Sequence, residues 1–427
     1  MNPDIHLLPN GVRLVLDPMP GLESAAIGVW LKTGARVETP QLNGLAHLVE
    51  HMAFKGAGGR GAQAIAEAFE NMGASVNAAT GYERTSYFAR CLSEHAVPAL
   101  ELIADLVAAP EFDASELKRE KDVVIQEIGE AADDPNDRVF ELAQTAAFAD
   151  QALGRPILGV AETLAAMRVE DLQDYAARSL DPSRLVVCAA GAFDAAALQE
   201  LVARRFGGLA GRAAETATGP AAPWAPAFAR AGAMTETRTL EQAHLVFSSA
   251  APPAGDPRGF AARIFAEILG GGMASRLFQD LREKRGLAYA IEAYVDVYED
   301  VGRLAVYAGC APQRAGEIGA GVLRHIEDLA QTGPTAPELR RAKAVMTASL
   351  LMGVESPLAR CELAAGQILL RGRVWGLAEL RAEIAKVDAD AVQAMARLAL
   401  TDRTPAASAL GPKRGLKAAE AFVAALR

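Results

Sequence analysis

The segment His47-Leu48-Val49-Glu50-His51 places two imidazoles and one carboxylate on five consecutive residues of a 427-residue chain. Asn43 before it is a suitable helix N-cap and Gly56 after it a suitable terminator, so we predict a helix from Gly44 to Lys55. Side chains three and four positions apart share one face of a helix. Both imidazoles can therefore bind the same metal ion.

The other positions of this predicted helix are almost all apolar, which indicates a buried helix whose polar groups need partners. Zinc held by two His and one carboxylate keeps a further position for water and lowers the pKa of that water. We therefore predict that His47 and His51 bind zinc and that Glu50 takes the proton. A pair of hydrogen-bonded core histidines is the alternative, and it is disfavoured because the chain has only six His.

A third ligand has to come from another segment, and Ser115 to Glu130 is predicted to form a helix with Asp113 or Ser115 as its cap. At about 100° per residue, Glu120 and Glu127 are nearly eclipsed and lie within its apolar stripe. One of them should bind zinc and the other should orient a His, but the spacing does not rank them. A salt-bridged amphipathic helix is the alternative interpretation.

These motifs make the chain resemble the pitrilysin-type inverzincins, and within them the short subfamily related to the mitochondrial processing peptidase. The resemblance covers nearly all 427 residues. It implies one zinc per chain, with His47, His51 and Glu127 as the ligands. It further implies that Glu50 is the general base and that Glu120 supports the site, which ranks the two carboxylates by analogy.

Two further motifs are similar to those of this family. Gly73 to Thr80 resembles the edge strand on which a substrate peptide is laid, with Asn77 and Ala78 as substrate-binding positions. In the second half, Arg282 and Tyr289 match a pair that contacts substrate and stabilises the tetrahedral intermediate; both side chains can donate hydrogen bonds to an oxyanion. Composition alone would make the first a surface residue and the second a packing residue.

An acidic pair follows the second of the two helices. Asp137 and Glu141, four residues apart on a helix expected after Pro135, match positions that receive a substrate Arg in the processing peptidases. The alternative is an ordinary solvated acidic face. The formal net charge of −10 argues against nucleic acid as a partner and suits basic peptides.

The clearest shift in composition lies at 212–232, where Ala, Pro and Gly displace any periodicity, so we predict a linker there. It separates a catalytic zinc-binding domain, 1–211, from a homologous domain without HxxEH, 233–427. A shift of about 220 residues aligns a helix and a strand of the two halves, at Leu172, Tyr175 and Gly191 against Val392, Met395 and Gly411.

These patterns predict an α+β fold of two tandem homologous domains. Each domain should be a mostly antiparallel sheet with helices packed on one face. The resemblance implies that the two domains form half of a clamshell.

Four isolated cysteines form no CxxC spacing, which indicates a reducing compartment and structural thiols: Cys91, Cys188, Cys310 and Cys361. The N-terminus has no basic n-region followed by a long apolar run, and no stretch of about 18 apolar residues occurs elsewhere. We expect a cytoplasmic protein without a membrane partner. A mitochondrial matrix location would require that a presequence has been removed.

Taken with the resemblance, the motifs imply a zinc endopeptidase that cleaves short or unfolded basic peptides. Its closed chamber would be formed by a homodimer in which Arg282 and Tyr289 of one subunit face the zinc of the other. One alternative is a non-catalytic assembly subunit of the type found in the respiratory bc1 complex, which the retained HxxEH disfavours. Another is one half of an obligate heterodimeric processing peptidase, which the Arg and Tyr in this same chain disfavour.

Overall fold

The computed structural model describes residues 3–211 and 221–427. Its strands coincide with the apolar and β-branched runs of the sequence, and the clearest is β3, in which every residue after Ser24 is buried. In chain order the strands are β1 Asp4–Leu7, β2 Arg13–Pro18, β3 Ser24–Leu31, β4 Gly56–Ala57, β5 Arg60–Gly61, β6 Ser75–Thr80, β7 Thr85–Leu92, β8 Leu185–Gly191, β9 Gly232–Thr237, β10 Ala243–Ala251, β11 Ala288–Val297, β12 Gly302–Cys310 and β13 Ala406–Gly411.

Two main sheets result, with the strand orders β1-β2-β8-β3-β7-β6 and β11-β12-β10-β13-β9. Neighbouring strands are antiparallel except for β2 with β8 and β9 with β13. The predicted mostly antiparallel sheets are therefore confirmed. In the first sheet β6 lies at an edge, and β7 is its only partner among the residues that the structure describes.

Alanine-rich and leucine-rich segments form the helices, as their propensities favour. In chain order they are α1 Leu45–Ala53, α2 Ala62–Glu70, α3 Ala96–Ala108, α4 Ala114–Asp133, α5 Pro135–Ala147, α6 Ala161–Ala166, α7 Val169–Ser179, α8 Ala195–Phe206, α9 Gly259–Ala266, α10 Ala315–Thr332, α11 Ala336–Gly353, α12 Pro357–Arg371, α13 Leu377–Lys386, α14 Ala389–Leu400 and α15 Lys413–Leu426. Two π-helical segments, Glu267–Gly271 and Phe278–Lys284, lie between α9 and β11.

Each sheet belongs to one of two compact units, and each unit is assembled from separate parts of the chain. The first unit contains the residues up to Ile128 together with Pro156–Ala225 and Leu350–Leu377. The second contains Gly129–Arg155, Pro226–Ser349 and Ala378–Arg427. The two tandem domains are present, but they do not follow the predicted division into 1–211 and 233–427. Residues 129–155 belong to the second unit, and residues 350–377 belong to the first.

Packing on the faces of the sheets explains why α12 belongs to the first unit and α5 to the second. In β3, Ile27 and Val29 face α3 and α8, whereas Trp30 faces the opposite side, where α12 packs against the sheet. In the second unit α5 packs Val139 and Leu142 against β10 and β13, on the face opposite to α15. Each sheet therefore has helices on both faces, so the prediction of helices on one face is wrong. A helix packs its apolar face against the sheet whose side chains complement it. That sheet need not be the one nearest to the helix in the sequence.

The described part of the predicted linker makes specific contacts. Trp224 is buried beneath Lys32 and Arg36, whose cationic groups lie 5.7 and 5.3 Å from the ring centroid. In the second unit the Ala227 amide donates a 2.7 Å hydrogen bond to Asp300. The remainder of that prediction, residues 212–220, lies outside the described residues.

The internal repeat has a structural counterpart in both units. Leu172 on α7 and Val392 on α14 are buried, and the strand that follows each helix ends at a glycine with positive φ, 109° at Gly191 and 134° at Gly411. The four cysteines are free and buried. Within the described ranges, the helices are all too short or too polar to cross a membrane.

Candidate metal centre

Helix α1 begins at Leu45, and the side chain of Glu38 caps its N-terminus. The Glu38 carboxylate accepts hydrogen bonds from the Gly44 amide at 3.0 Å and the Ala46 amide at 2.7 Å. The prediction that Asn43 is the cap is wrong, since its side-chain amide donates to Glu38 at 3.1 Å instead. A buried carboxylate satisfies two helix N–H groups and also interacts favourably with the helix dipole.

The HxxEH residues lie on one side of α1 while its other positions enter the core. The rings of His47 and His51 are 4.6 Å apart, and their Nε2 atoms lie 3.8 and 3.5 Å from Oε2 of Glu127. These three residues offer ligand atoms within 4.8 Å of one another. A search of the described residues for three or more His, Cys, Asp or Glu side chains that could share a metal ion finds this group.

Helix α4 brings Glu120 and Glu127 to α1. Asp113 caps it by accepting from the amides of Ser115 and Glu116 at 2.8 and 3.0 Å, which resolves the two caps that the sequence left open. Glu120 is 4% exposed and lies 3.1 Å from Nδ1 of His51, whereas Glu127 is more exposed and faces both imidazoles. The geometry therefore distinguishes the two carboxylates: Glu127 faces both Nε2 atoms, and Glu120 contacts Nδ1 of one ring.

The protonation states suit a cation. Burial, and then the neighbouring His51, lower the pKa of His47 to about 4, so its ring is neutral at pH 7 and can present a lone pair. Glu120 at Nδ1 of His51 favours the tautomer whose lone pair is on Nε2. Two imidazoles and a carboxylate form a donor set that fits zinc.

Lys55 is a member of the site that the sequence analysis missed. Its ammonium group lies 2.9 Å from the second oxygen of Glu120. Both oxygens of this buried carboxylate therefore have a partner, one an ammonium group and the other an imidazole nitrogen. The only signal in the sequence was a lysine directly after the apolar end of the helix.

Glu50 points to the same side of α1 and has a partner of its own. The Thr80 hydroxyl donates a 2.5 Å hydrogen bond to its Oε2. Burial raises the pKa of Glu50, and the hydrogen bond from Thr80 opposes that shift. The sequence had placed this threonine at the end of a motif without assigning it a role.

Comparison with known proteins identifies the family of this chain. The model of the insulinase family of peptidases, peptidase family M16, matches residues 13–161, and that of the peptidase M16 inactive domain matches residues 166–346. A relative from Bacillus subtilis, described as the uncharacterized zinc protease YmxG, is 37% identical over 92% of this chain and 94% of its own length. The chain belongs to peptidase family M16. The resemblance drawn from HxxEH is thereby confirmed.

Solved structures confirm the fold of this M16 chain. A protease from Helicobacter pylori has a TM-score of 0.88 at 19% identity, covering 96% of this chain and 99% of its own. A chain of the complex III dimer from Candida albicans has a TM-score of 0.84 at 19% identity, covering 99% of each chain. At this identity the similarity concerns the fold alone.

The edge strand next to the M16 site is regular and open on one side. Asn77 and Ala79 are exposed on β6, whereas Ala78 and Thr80 are half-buried, as strand alternation requires. The Asn77 side-chain oxygen accepts a 2.8 Å hydrogen bond from the Ala78 amide. The assignment of Asn77 and Ala78 as substrate-binding positions stays a prediction.

Arg282 and Tyr289 belong to the second unit. Arg282 lies in the π-helical segment, with its guanidinium 4.6 Å from the ring centroid of Phe278. Gly286, with φ of 58°, precedes β11, on which Tyr289 is 66% exposed. The phenol is exposed and the guanidinium is half-exposed, and the predicted contact of this pair with substrate stays a prediction.

Asp137 and Glu141 lie on α5, which begins at Pro135 and is capped by Asp134. Asp137 is exposed. Glu141 accepts a 2.9 Å hydrogen bond from Arg138, which also binds Glu236 at 2.8 Å. Of the two predicted Arg-binding carboxylates, one thus has a partner within the chain.

Proposed function

We propose that this M16 chain is a zinc-dependent endopeptidase that cleaves short or unfolded basic peptides inside a chamber closed by two subunits. The observation that carries the proposal is the convergence of His47, His51 and Glu127 beside Glu50. Structural histidines would not need a carboxylate facing both Nε2 atoms. Membership of a peptidase family and the zinc named in relatives support the same chemistry.

The residues have separable tasks in this reaction. The two imidazoles and Glu127 would hold one zinc, which when bound acts as a Lewis acid and lowers the pKa of water. Glu50 accepts a proton from the attacking water and passes it to the leaving nitrogen as the peptide bond breaks. Glu120 keeps His51 oriented, and Lys55 holds the second oxygen of that carboxylate.

The substrate would pair with the free edge of β6 at Asn77 and Ala78 as an added strand. Arg282 and Tyr289 would donate hydrogen bonds to the oxyanion as charge develops on it. In a homodimer with twofold symmetry, this pair from one subunit acts at the metal of the other. A closed chamber would admit unfolded peptides and exclude folded proteins.

The shared fold of the Candida albicans complex III chain favours a second candidate, a non-catalytic assembly subunit. An assembly role places no requirement on the metal-binding groups, yet the two histidines, Glu50 and Glu127 are all present. An obligate heterodimer is the third candidate. The Arg and Tyr pair in the same chain as HxxEH makes a homodimer sufficient.

The test is cleavage of a peptide library by the purified full-length chain with and without zinc, read by mass spectrometry. The proposal predicts zinc-dependent internal cleavage of unfolded peptides, enriched for basic residues near the cut. A Glu50→Gln preparation is the matched control for contaminating proteases. Equal cleavage by wild type and Glu50→Gln, or no cleavage by a zinc-loaded homodimer, would contradict the proposal.

A further inference from the structure

One hydrogen bond joins the end of the edge strand to the helix that carries HxxEH. Thr80 Oγ1 donates to Glu50 Oε2 at 2.5 Å. The contact uses one carboxylate oxygen and leaves the other for water. We propose that Thr80 is a positioning residue that fixes the orientation of the Glu50 carboxylate for proton transfer. This inference rests on the proposed function, in which Glu50 is the base.

The strand pairing fixes the position of Thr80. It is the last residue of β6 and is paired with Thr85 on β7. The turn between them is closed by a 2.8 Å hydrogen bond from the Gly81 amide to the Arg84 carbonyl. Along β6 its side chain alternates to the half-buried face, the side occupied by Val76 and Ala78 and not that of the exposed Asn77.

A loop that precedes α1 holds this turn from outside the hairpin. The Ala35 amide donates to the Gly81 carbonyl at 3.0 Å and the Arg36 amide to the Tyr82 carbonyl at 2.9 Å. Gly34, with φ of 153°, permits the approach, because a Cβ there would lie 2.3 Å from the Gly81 oxygen. The turn is thus held by backbone contacts on both sides.

Ion pairs add to these backbone contacts. Arg36 binds Glu83 in the turn, and Arg84 binds Glu362 on α12 at 2.6 Å. Glu362 also accepts a 2.9 Å hydrogen bond from the buried Trp30. Side chains flanking Thr80 are therefore tied to the core of the first unit.

The same loop sets the start of α1 through Glu38, which accepts from the Gly44 and Ala46 amides. Residues 34–44 therefore hold the turn after Thr80 at one end and the helix of Glu50 at the other. A carboxylate held in this way has its orientation set before a substrate arrives, so no reorganisation is needed during proton transfer. A threonine that served packing alone would need neither its hydroxyl nor this alignment.

The experiment compares full-length, zinc-loaded variants by kcat, KM, zinc content and thermal unfolding. Thr80→Val removes the hydroxyl at nearly constant shape, and Thr80→Ser restores it. Thr85→Val is the matched control, since Thr85 lies opposite in the strand pair and the hydrogen bond to Glu50 comes from Thr80. Thr80→Ala is a second hydroxyl-free variant, for use if Thr80→Val does not fold.

We expect Thr80→Val to lower kcat roughly 10- to 100-fold with KM within about twofold and zinc content unchanged. Thr80→Ser should recover kcat to within about threefold of wild type, and Thr85→Val should match wild type. Wild-type kcat in Thr80→Val, or Thr80→Ser as slow as Thr80→Val, would overturn the positioning role. So would loss of zinc from Thr80→Val, because the hydroxyl is not proposed to act on the ligands.

Crystal structures separate this inference from the proposed function. If the zinc-loaded wild type cleaves no peptide, the proposed function fails, but the orientation of Glu50 is still measurable. The inference then predicts one carboxylate orientation in wild type and Thr80→Ser, and a rotated or divided one in Thr80→Val. The same single orientation in all three would overturn it.

Discussion

The two units share one sheet topology and differ in what is attached to its edge. The order β6-β7-β3-β8-β2 in the first matches β11-β12-β10-β13-β9 in the second, including the parallel pair at the same place. In the first unit a regular helix, α1, packs at the edge strand and carries HxxEH. In the second that place is taken by α9 and a π-helical segment that ends in glycines.

The helical segment that precedes the edge strand also differs between the units, and here the second unit carries the predicted site residue. In the first unit α2 contributes no predicted site residue, whereas the corresponding segment of the second unit, Phe278–Lys284, carries Arg282. Tyr289 follows on the edge strand itself. Under the proposed function, the duplicated scaffold would carry metal-binding groups in one copy and oxyanion-binding groups in the other. The shared sheet topology would then support different sites in its two copies.

The largest effect should come from the base of the first unit. Glu50→Gln keeps a side chain of the same shape but cannot take a proton, so kcat should fall by about 10²- to 10⁴-fold while zinc stays bound. Glu127→Gln should instead lose zinc, because it replaces an anionic ligand. Metal analysis and peptide kinetics on both variants check this, and loss of zinc in Glu50→Gln with retention in Glu127→Gln would reverse the two roles.

Mixed dimers test whether the two units act together across subunits. Glu50→Gln and Tyr289→Phe homodimers should each be nearly inactive. A heterodimer of the two would hold one intact site if the phenol acts in trans, so mixing should restore part of the activity. A purified, tagged heterodimer without activity would place Tyr289 in the same chain's site or outside the mechanism.

The support for His51 should have a smaller, measurable effect. Glu120→Gln weakens the hydrogen bond to Nδ1 and leaves Lys55 without its anionic partner. We expect zinc affinity to fall roughly 10- to 100-fold, with activity largely recovered at saturating zinc. Competition with a chelator measures the affinity, and unchanged affinity would mean that Glu120 only packs.

One carboxylate of the second unit, Glu338, should make a pH-dependent contribution to stability. Burial of Glu338 opposes its ionisation, but hydrogen bonds from Arg276 and Thr335 outweigh burial and lower its pKa to about 2. A lowered pKa stabilises the fold above the ordinary value of about 4.5, and this stabilisation is lost as the pH falls towards 2.

Denaturant unfolding of Glu338→Gln as a function of pH measures that contribution. The variant should be less stable than wild type at pH 7, and the difference should shrink between about pH 4.5 and 2. Glu327→Gln, at an exposed carboxylate on α10 of the same unit, is the control. A difference that stays constant over this range would assign the effect of Glu338 to packing.

The smallest effect concerns specificity. Asp137 is exposed while Glu141 is bound to Arg138, so Asp137→Asn should affect Arg-containing peptides more than Glu141→Gln does. The kcat/KM for those peptides should fall by about tenfold or less, and neutral peptides should be nearly unaffected. Salt should reduce the preference, because partly exposed charges are screened. Equal losses for both peptide classes would mean that these residues support α5.

Sequence reasoning reached the parts of the site that depend on local spacing. His47, Glu50 and His51 follow from helical periodicity, as does the presence of carboxylates on α4. It missed Lys55 and Thr80, and it chose Asn43 where Glu38 is the cap. Contacts made by a strand end or a loop depend on tertiary packing, which periodicity does not report.

The same distinction holds for the fold. Antiparallel sheets and the tandem repeat follow from strand alternation and from the shift of about 220 residues. The exchange of α5 and α12 between the units does not, because both helices are amphipathic and either sheet offers an apolar face. Complementarity of side chains decides the partner, and that is a property of the folded chain.

Anomalous diffraction at the zinc absorption edge is the most direct test of the central claim that the first unit alone holds the metal. The account predicts one peak per chain, about 2.0–2.2 Å from Nε2 of His47, Nε2 of His51 and a carboxylate oxygen of Glu127. Glu50 should lie near the peak without coordinating it. A peak bound by Glu120 or Glu50, or one located in the second unit, would contradict the account.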